Sequence, residues 1–290
     1  MYLDLKIREL ILGAWEVFYM KDGHIHSPYC PHGSSDQFEK YIKKALEVGV
    51  MEMTFTEHLP LPKNFKDPSP ENNSAMTEEN LLNYFNELKK LKEKYKHSVK
   101  INIGVEVDYI EGYEQEIKSM LDKYGEYIDD SILSVHMIKL DDKYHLIDYS
   151  ADEFGKLIEH MGSIEKVYYK YYQTLKLAIN SNLGIYKPTR IGHLNLVRKF
   201  NKIYPYDYSN MKILEELVRL IKAKNYELDF NVSGYRQQYC NEAYIDGYLF
   251  ELVRKYNVKT VLGSDSHSYD TVGYKMKEYD RLINELQIQL

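Results

Sequence analysis

The chain has 290 residues, of which 28% are charged and 44% hydrophobic, and this balance excludes a disordered chain, a collagen and a coiled coil. The formal net charge of −6 argues against a dedicated nucleic-acid-binding protein, so we expect no nucleic-acid partner. No apolar run approaches the roughly 20 residues that a membrane-spanning helix needs. Two cysteines cannot build a disulfide scaffold, which favours a reducing compartment, the cytoplasm.

The first twenty residues lack the basic start, the apolar centre and the small-residue cleavage site of a signal peptide. We interpret residues 1–20 as a non-catalytic extension. Residues 21–290 contain no proline- or glycine-rich linker, and we expect them to form a single domain.

From Asp22 onward, short apolar segments alternate with longer segments whose apolar residues recur every three or four positions. The short segments are typical of strands buried on both faces of a parallel sheet. They are Asp22–His26, Met51–Thr56, Ile101–Val107, Ser131–His136, Arg190–His193, Tyr226–Asn231 and Lys259–Ser264. The longer segments predict helices over residues 35–48, 78–95, 113–124, 164–182, 210–224 and 243–256, and after Thr271. Strands that alternate with helices in this way favour one closed or nearly closed α/β barrel.

Three local features add detail to this pattern. The first helix is expected to begin at a cap formed by Ser34, Ser35 or Asp36 and to end at Gly49. Residues 59–75 hold four of the eight prolines and predict a long loop, which in a compact domain is usually functional or disordered. Residues 141–161 predict a hairpin or short strand followed by a short helix.

Seven of the ten histidines lie at or just beyond the carboxyl end of a predicted strand. They are His24, His26, His32, His58, His136, His193 and His267. The acidic residues Glu106, Asp108 and Asp265 lie at equivalent places. In a (β/α) barrel these strand ends open onto one face, where the active sites of such barrels are built. The pattern therefore predicts one shared site.

The spacing of these residues indicates metal binding. Side chains two positions apart on a strand point to the same face, so His24 and His26 can bind one ion. Imidazole and carboxylate groups together suit Zn²⁺, Fe²⁺ and Mn²⁺, and Glu106 can bridge two ions. The seven histidines with Glu106 and Asp265 make nine candidate ligands, which suit three divalent ions with open positions.

The segments DGHIHSPYCPHG, TEH, GVEVDY, SVH, RIGH and GSDSH resemble the motifs of the polymerase-and-histidinol-phosphatase (PHP) family. The continuations GVEVDYIEGYE, KPTRIGH and ELDFNVSGYR resemble its monofunctional histidinol-phosphate phosphatases. This resemblance covers residues from about 21 to the C-terminus and implies a distorted (β/α)7 barrel. It further implies that His24, His26, Glu106 and Asp265 bind one metal, and that Glu106 also binds a second metal. His136 and His193 would complete the second site, and His32, His58 and His267 would hold the third ion; the assignment of His193 and His267 to particular ions stays open.

The resemblance implies hydrolysis of L-histidinol phosphate to L-histidinol and phosphate in histidine biosynthesis. Arg190 and Arg236 are candidates to bind the phosphate, because arginine makes bidentate contacts with phosphate. Glu57, Asp108 and Asn231 are candidates to accept hydrogen bonds from the amine and imidazole of the substrate. Asp265, His193 or a water molecule on a metal could protonate the leaving oxygen, with Glu106 as the bridging carboxylate.

Two other hypotheses remain open from the sequence. The first is a PHP phosphatase or phosphodiesterase that acts on another small phosphorylated compound or a nucleotide. The second is a metal-storing or regulatory barrel without turnover, which the intact set of candidate ligands disfavours. The oligomeric state is not predicted.

Overall fold

A computed structural model describes residues 20–279, and these residues form one barrel. Seven parallel strands lie side by side in the order in which they follow one another along the chain. They are β1 (Met20–Ile25), β2 (Val50–His58), β3 (Lys100–Asp108), β4 (Asp130–Ser134), β7 (Arg190–Ile191), β8 (Glu227–Asn231) and β9 (Thr260–Gly263). All seven predicted strands are present, and the α/β barrel is confirmed. The predicted extension before Met20 lies outside the described residues.

The helices connect successive strands on the outside of the barrel. They are α1 (Phe38–Val48), α2 (Glu78–Tyr95), α3 (Glu114–Tyr124), α4 (Ala151–Met161), α5 (Ile164–Asn180), α6 (Lys212–Ala223) and α7 (Gly247–Lys255). Their apolar faces are buried, as Leu81, Tyr84 and Leu88 of α2 show. The hydroxyl of Tyr84 also donates to the carbonyl oxygens of Phe55 and Gly104, 2.9 and 2.8 Å away, and so ties α2 to two strands. None of the helices in residues 20–279 is long and apolar enough to span a membrane.

The barrel closes where β1 meets the chain that follows β9. The amide of Asp265 donates to the carbonyl of His24 (2.7 Å), and the amide of His26 donates to the carbonyl of Ser266 (2.9 Å). Asp265 has φ of 51°, a left-handed conformation that non-glycine residues seldom adopt and that often occurs at functional sites. This closure puts residues 265–267 directly beside His24 and His26.

A two-stranded antiparallel hairpin, β5 (Met137–Leu140) and β6 (Lys143–Leu146), follows β4 and leads into α4. The hairpin and the short helix were both expected, although the hairpin begins four residues earlier than predicted. Residues 59–75 contain no regular helix or strand, as predicted. The carboxylate of Asp67 fastens this loop, because it accepts hydrogen bonds from the amides of Ser69 (2.8 Å) and Ser74 (3.0 Å).

The predicted cap of the first helix is wrong. The cap position of α1 is Gln37, and its side chain makes no capping hydrogen bond. Ser34 instead donates its hydroxyl to Asp36 (2.5 Å), which also pairs with Lys40 one turn into the helix. The predicted end at Gly49 is confirmed, since Gly49 has φ of 88° and its amide returns to the last turn.

Candidate metal centre

His24 and His26 point into the barrel from the end of β1, and their Nε2 atoms lie 3.3 Å apart. Oε2 of Glu106, from β3, lies 3.4 Å from each of these nitrogens. Oδ1 of Asp265 lies 3.5 Å from Nε2 of His24 and 3.2 Å from Nε2 of His26. We call these four side chains the first cluster. Ligands bound to one transition-metal ion at about 2.0–2.2 Å stand roughly 3.0–3.5 Å apart, so these separations fit a single ion.

The hydrogen bonds of the two rings support this assignment. Nδ1 of His24 donates to Oδ2 of Asp229 (2.7 Å), and Nδ1 of His26 faces Oε1 of Glu57 (3.4 Å). In a neutral ring, the proton on Nδ1 leaves a lone pair on Nε2. Two lone pairs then face two carboxylate oxygens in a buried site, an arrangement that only a cation stabilises. The donor set therefore fits a metal ion.

The second cluster consists of Glu106, His136 and His193. Oε1 of Glu106 lies 3.0 Å from Nε2 of His193 and 3.7 Å from Nε2 of His136, and the two nitrogens are 3.1 Å apart. The hydroxyl of Ser134 donates to the same Oε1 (2.6 Å). Glu106 thus places one oxygen in each of two clusters, which is the geometry of a bridging carboxylate.

The third cluster consists of His32, His58 and His267, whose ring nitrogens come within 4.8 Å of one another. Nδ1 of His32 donates to the carbonyl of Asn73 (2.9 Å), which frees its Nε2 and ties this cluster to the 59–75 loop. Nδ1 of His267 approaches the carbonyl of Asp265 (3.2 Å). His58 also lies within 4.8 Å of donors on Asp108 and His136, so it stands between the third cluster and the second.

In these clusters, burial and the opposite charges of neighbouring groups shift the pKa values in opposite directions. Burial favours a protonated Glu106, but the imidazoles of His24, His58 and His136 outweigh it and hold the pKa of Glu106 well below its ordinary value. Burial lowers the pKa of His136, but the carboxylates of Asp108 and Glu106 outweigh it and raise that pKa to about 10. Without metal, a proton on His136 therefore helps to balance these carboxylates, and a metal ion must displace it.

Hydrogen bonds with neighbouring groups orient two of the candidate ligands, His136 and Asp265. Asp108 accepts a hydrogen bond from Nδ1 of His136, and so directs Nε2 of that ring into the second cluster. Oδ2 of Asp265 accepts from Nδ2 of Asn231 (3.2 Å) and from the hydroxyl of Ser233 (3.0 Å), which leaves Oδ1 for the first cluster. Sequence reasoning missed Asp229, although Asp229 and Asn231 form an unusual pair of polar residues on one face of a buried strand.

Three of the predicted substrate-binding residues lie away from the cavity above the clusters. Glu57 accepts from the amide and hydroxyl of Ser27 (2.9 and 2.7 Å), and Asn231 is fully buried beside Asp265. Arg190 lies in the amino half of the barrel, where it donates to Asp130 (3.0 Å) and to the carbonyl of Gly23 (2.9 Å). These groups support the barrel and the ligands, and none of the three lines the cavity.

The clusters form the floor of a cavity of about 510 Å³, large enough for a small metabolite. Its walls come from the 59–75 loop, the hairpin connection at Asp148 and Tyr149, and the turns that carry Lys199 and Arg236. Nη2 of Arg236 donates to the carbonyl oxygens of Ser264 (2.8 Å) and Asp265 (2.9 Å). Its Nη1 has no hydrogen-bond partner among residues 20–279. The cavity therefore combines clustered metal ligands with two cationic side chains.

Residues 22–233 match the family model of the PHP domain. The fold and the site thus define the class, and the chain belongs to the PHP domain family. Within this family its relatives are histidinol-phosphatases. The chain is 43% identical to the histidinol-phosphatase of Bacillus subtilis over 261 residues. The aligned region covers 89% of this chain and 97% of the Bacillus protein.

Two solved structures share the fold. HisK of Listeria monocytogenes, assigned as a histidinol phosphatase, matches with a TM-score of 0.86 and 32% identity over 89% of this chain and 99% of that one. Histidinol phosphate phosphatase from Lactococcus lactis, complexed with zinc, L-histidinol and phosphate, matches with a TM-score of 0.67 and 21% identity. That match covers 92% of this chain and 94% of the Lactococcus chain.

Proposed function

We propose that this protein hydrolyses L-histidinol phosphate to L-histidinol and phosphate, and so serves histidine biosynthesis. The observation that carries the proposal is the placement of Glu106, whose two oxygens belong to two adjacent donor clusters beneath a cavity of metabolite size. The relationship to the Bacillus enzyme supports this choice of substrate.

The site is proposed to hold three divalent ions, of zinc, iron or manganese, through nine ligands. The ligands are His24, His26, His32, His58, Glu106, His136, His193, Asp265 and His267. When bound, such ions neutralise phosphoryl oxygens and activate water for in-line attack. Of the three clusters, only the third contains no carboxylate, so its ion is the least neutralised by protein and suits contact with a phosphoryl oxygen.

The protein's own groups complete the reaction. Arg236 is proposed to bind a phosphoryl oxygen, because it lines the cavity and its Nη1 is unpartnered within the described part of the chain. A primary alcohol is a poor leaving group and needs a proton as the P–O bond breaks. His193 of the second cluster and Asp265 of the first cluster line the cavity, and they are the side chains proposed to supply the proton.

The direct test measures phosphate release by metal-replete enzyme from L-histidinol phosphate and from p-nitrophenyl phosphate. We expect kcat/KM to be at least about a hundredfold higher for histidinol phosphate, or roughly 2.7 kcal/mol of differential transition-state binding. Comparable values for both substrates would leave a general PHP phosphatase and refute the assignment to histidine biosynthesis. Arg236→Ala should lower kcat/KM on both substrates, because both carry the same phosphate.

A further inference from the structure

Asp148 and Lys199 form an ion pair in the wall of the cavity, and neither belongs to a donor cluster. Nζ of Lys199 lies 3.2 Å from Oδ2 of Asp148, and the side chains are 22% and 21% exposed. Oδ1 of Asp148 accepts no hydrogen bond from any side chain or amide in the described residues. The pair is therefore held in place but keeps one carboxylate oxygen available to a ligand.

The backbone attaches both members of the pair to the second cluster. The amide of Ile147, next to Asp148, donates to the carbonyl of His136 (3.0 Å). On the other side, the amide of Leu196 donates to the carbonyl of His193 (2.8 Å), and the amide of Lys199 donates to the carbonyl of Leu196 (2.9 Å). The pair therefore belongs to the wall of the cavity next to the second cluster, along which the alcohol of a phosphomonoester bound to the clusters can extend.

The other carboxylates that line the cavity are already engaged. Glu106 and Asp265 belong to the clusters, Asp108 accepts from His136, and Glu71 lies on the exposed rim, where the hydroxyl of Tyr149 donates to it (3.0 Å). Burial opposes ionisation of Asp148, but Lys199 and the imidazoles of the second cluster outweigh it and lower its pKa. Asp148 is thus a carboxylate anion with a free oxygen beside the reaction centre.

We infer that Asp148 is a specificity residue that binds the ammonium group of the substrate, and that Lys199 is a positioning residue that holds its carboxylate. The inference rests on the proposed function, because L-histidinol phosphate carries its amine on the carbon adjacent to the phosphorylated carbon. It extends to any 2-aminoalkyl phosphate, since the recognised unit is the phosphate with an ammonium group three bonds from the ester oxygen.

The test combines the Asp148→Asn substitution with removal of the amine from the substrate. The substrate pairs are L-histidinol phosphate against 3-(imidazol-4-yl)propyl phosphate, and 2-aminoethyl phosphate against ethyl phosphate, so that each pair differs by one amine. We expect wild-type kcat/KM to favour the amine in each pair by about thirtyfold, as for a charge-assisted hydrogen bond. Asp148→Asn should reduce this preference to about threefold or less, mainly through KM, with little change on the amine-free substrates.

Glu153→Gln is the matched control. Glu153 is also a carboxylate paired with a lysine, 2.6 Å from Nζ of Lys156, but it lies 51% exposed on α4 and does not line the cavity. This variant should keep the full amine preference. Metal content and thermal melting of each variant report whether the site is intact, and Asp148→Ser provides a second loss of charge.

The outcomes separate the two proposals. A wild-type enzyme that treats L-histidinol phosphate and p-nitrophenyl phosphate alike refutes the proposed function, while the aminoethyl pair still tests Asp148. An amine preference that survives in both Asp148→Asn and Asp148→Ser overturns the inference. An absent amine preference in the wild type, in both pairs, overturns it as well.

Discussion

Asp229→Asn tests whether the carboxylate behind His24 controls the first metal ion. Oδ2 of Asp229 accepts from Nδ1 of His24 (2.7 Å), from Nδ2 of Asn231 (3.0 Å) and from the amide of His193 (3.3 Å). Asparagine has the same shape, so the buried site keeps its packing and loses only charge and one acceptor. If the new amide nitrogen faces His24, the ring must carry its proton on Nε2, which then cannot bind metal.

The size of this effect follows from the bond that is lost. A hydrogen bond to a charged group contributes about 1.5–3 kcal/mol, which corresponds to roughly ten- to a hundredfold in affinity. The same range is typical for removal of a carboxylate that orients a metal-binding histidine. We therefore expect the ion of the first cluster to dissociate about ten- to a hundredfold more readily from Asp229→Asn than from the wild type.

Competition with a chromophoric chelator measures this affinity directly, and elemental analysis gives the number of ions retained. Circular dichroism of the metal-free variant checks that the barrel is folded. If Asp229→Asn binds the ion of the first cluster as tightly as the wild type does, the His24–Asp229 hydrogen bond does not orient His24 for metal binding.

Further predictions concern the metals and the scaffold. Protein purified without chelator should contain two to three equivalents of transition metal, and less than one after repletion would refute the three-ion site. Glu106→Gln should lose an ion and about a hundredfold or more in activity, because an amide cannot offer an anionic oxygen to both clusters; full metal content and normal turnover would exclude the bridge. Metal affinity should increase with pH, since the pKa of His136 is raised to about 10 and metal must displace its proton; a flat profile in a chelator titration between pH 6 and 9 would contradict this. Lys187 donates to the carbonyl oxygens of Ala178, Ile179 and Ser181 (2.8, 2.8 and 2.7 Å) at the end of α5, so Lys187→Met should lower the free energy of unfolding by about 1–2 kcal/mol in urea denaturation. An unchanged midpoint would show that water replaces the ammonium group without cost.

The strands and the clustering of the candidate metal ligands were predictable because both depend on local pattern. Short apolar runs marked the strands, and polar residues at their carboxyl ends necessarily met on one face of the barrel. His32 and His267, which lie in loops, were predicted through the same argument because each follows a strand closely.

The surroundings of the ligands were less predictable, because they depend on depth within the barrel and on neighbours across the sheet. Arg190 precedes His193 by three residues, and at about 3.3 Å per residue this separation places it roughly 10 Å below the ligand layer. Its guanidinium therefore meets Asp130 rather than the cavity. The partnership of Asp229 with His24 joins residues 205 positions apart, and no spacing in the sequence reveals it. Asp148 follows a hairpin whose exact register decides whether its side chain faces the cavity.

The closure of the barrel also affects how the protein can acquire its metals. The first cluster combines His24 and His26 from the first strand with Asp265, which follows the last, so an ion bound there cross-links the two ends of a loop of about 240 residues. Two backbone hydrogen bonds join the same segments, whereas β2 and β3 pair along seven residues. In the chain-entropy picture, a cross-link over so long a loop removes much freedom from the unfolded ensemble. Since Asp265 is synthesised late, a growing chain cannot complete the first cluster before the segment after β9 exists, and an ion bound there then fastens the two ends of the barrel together.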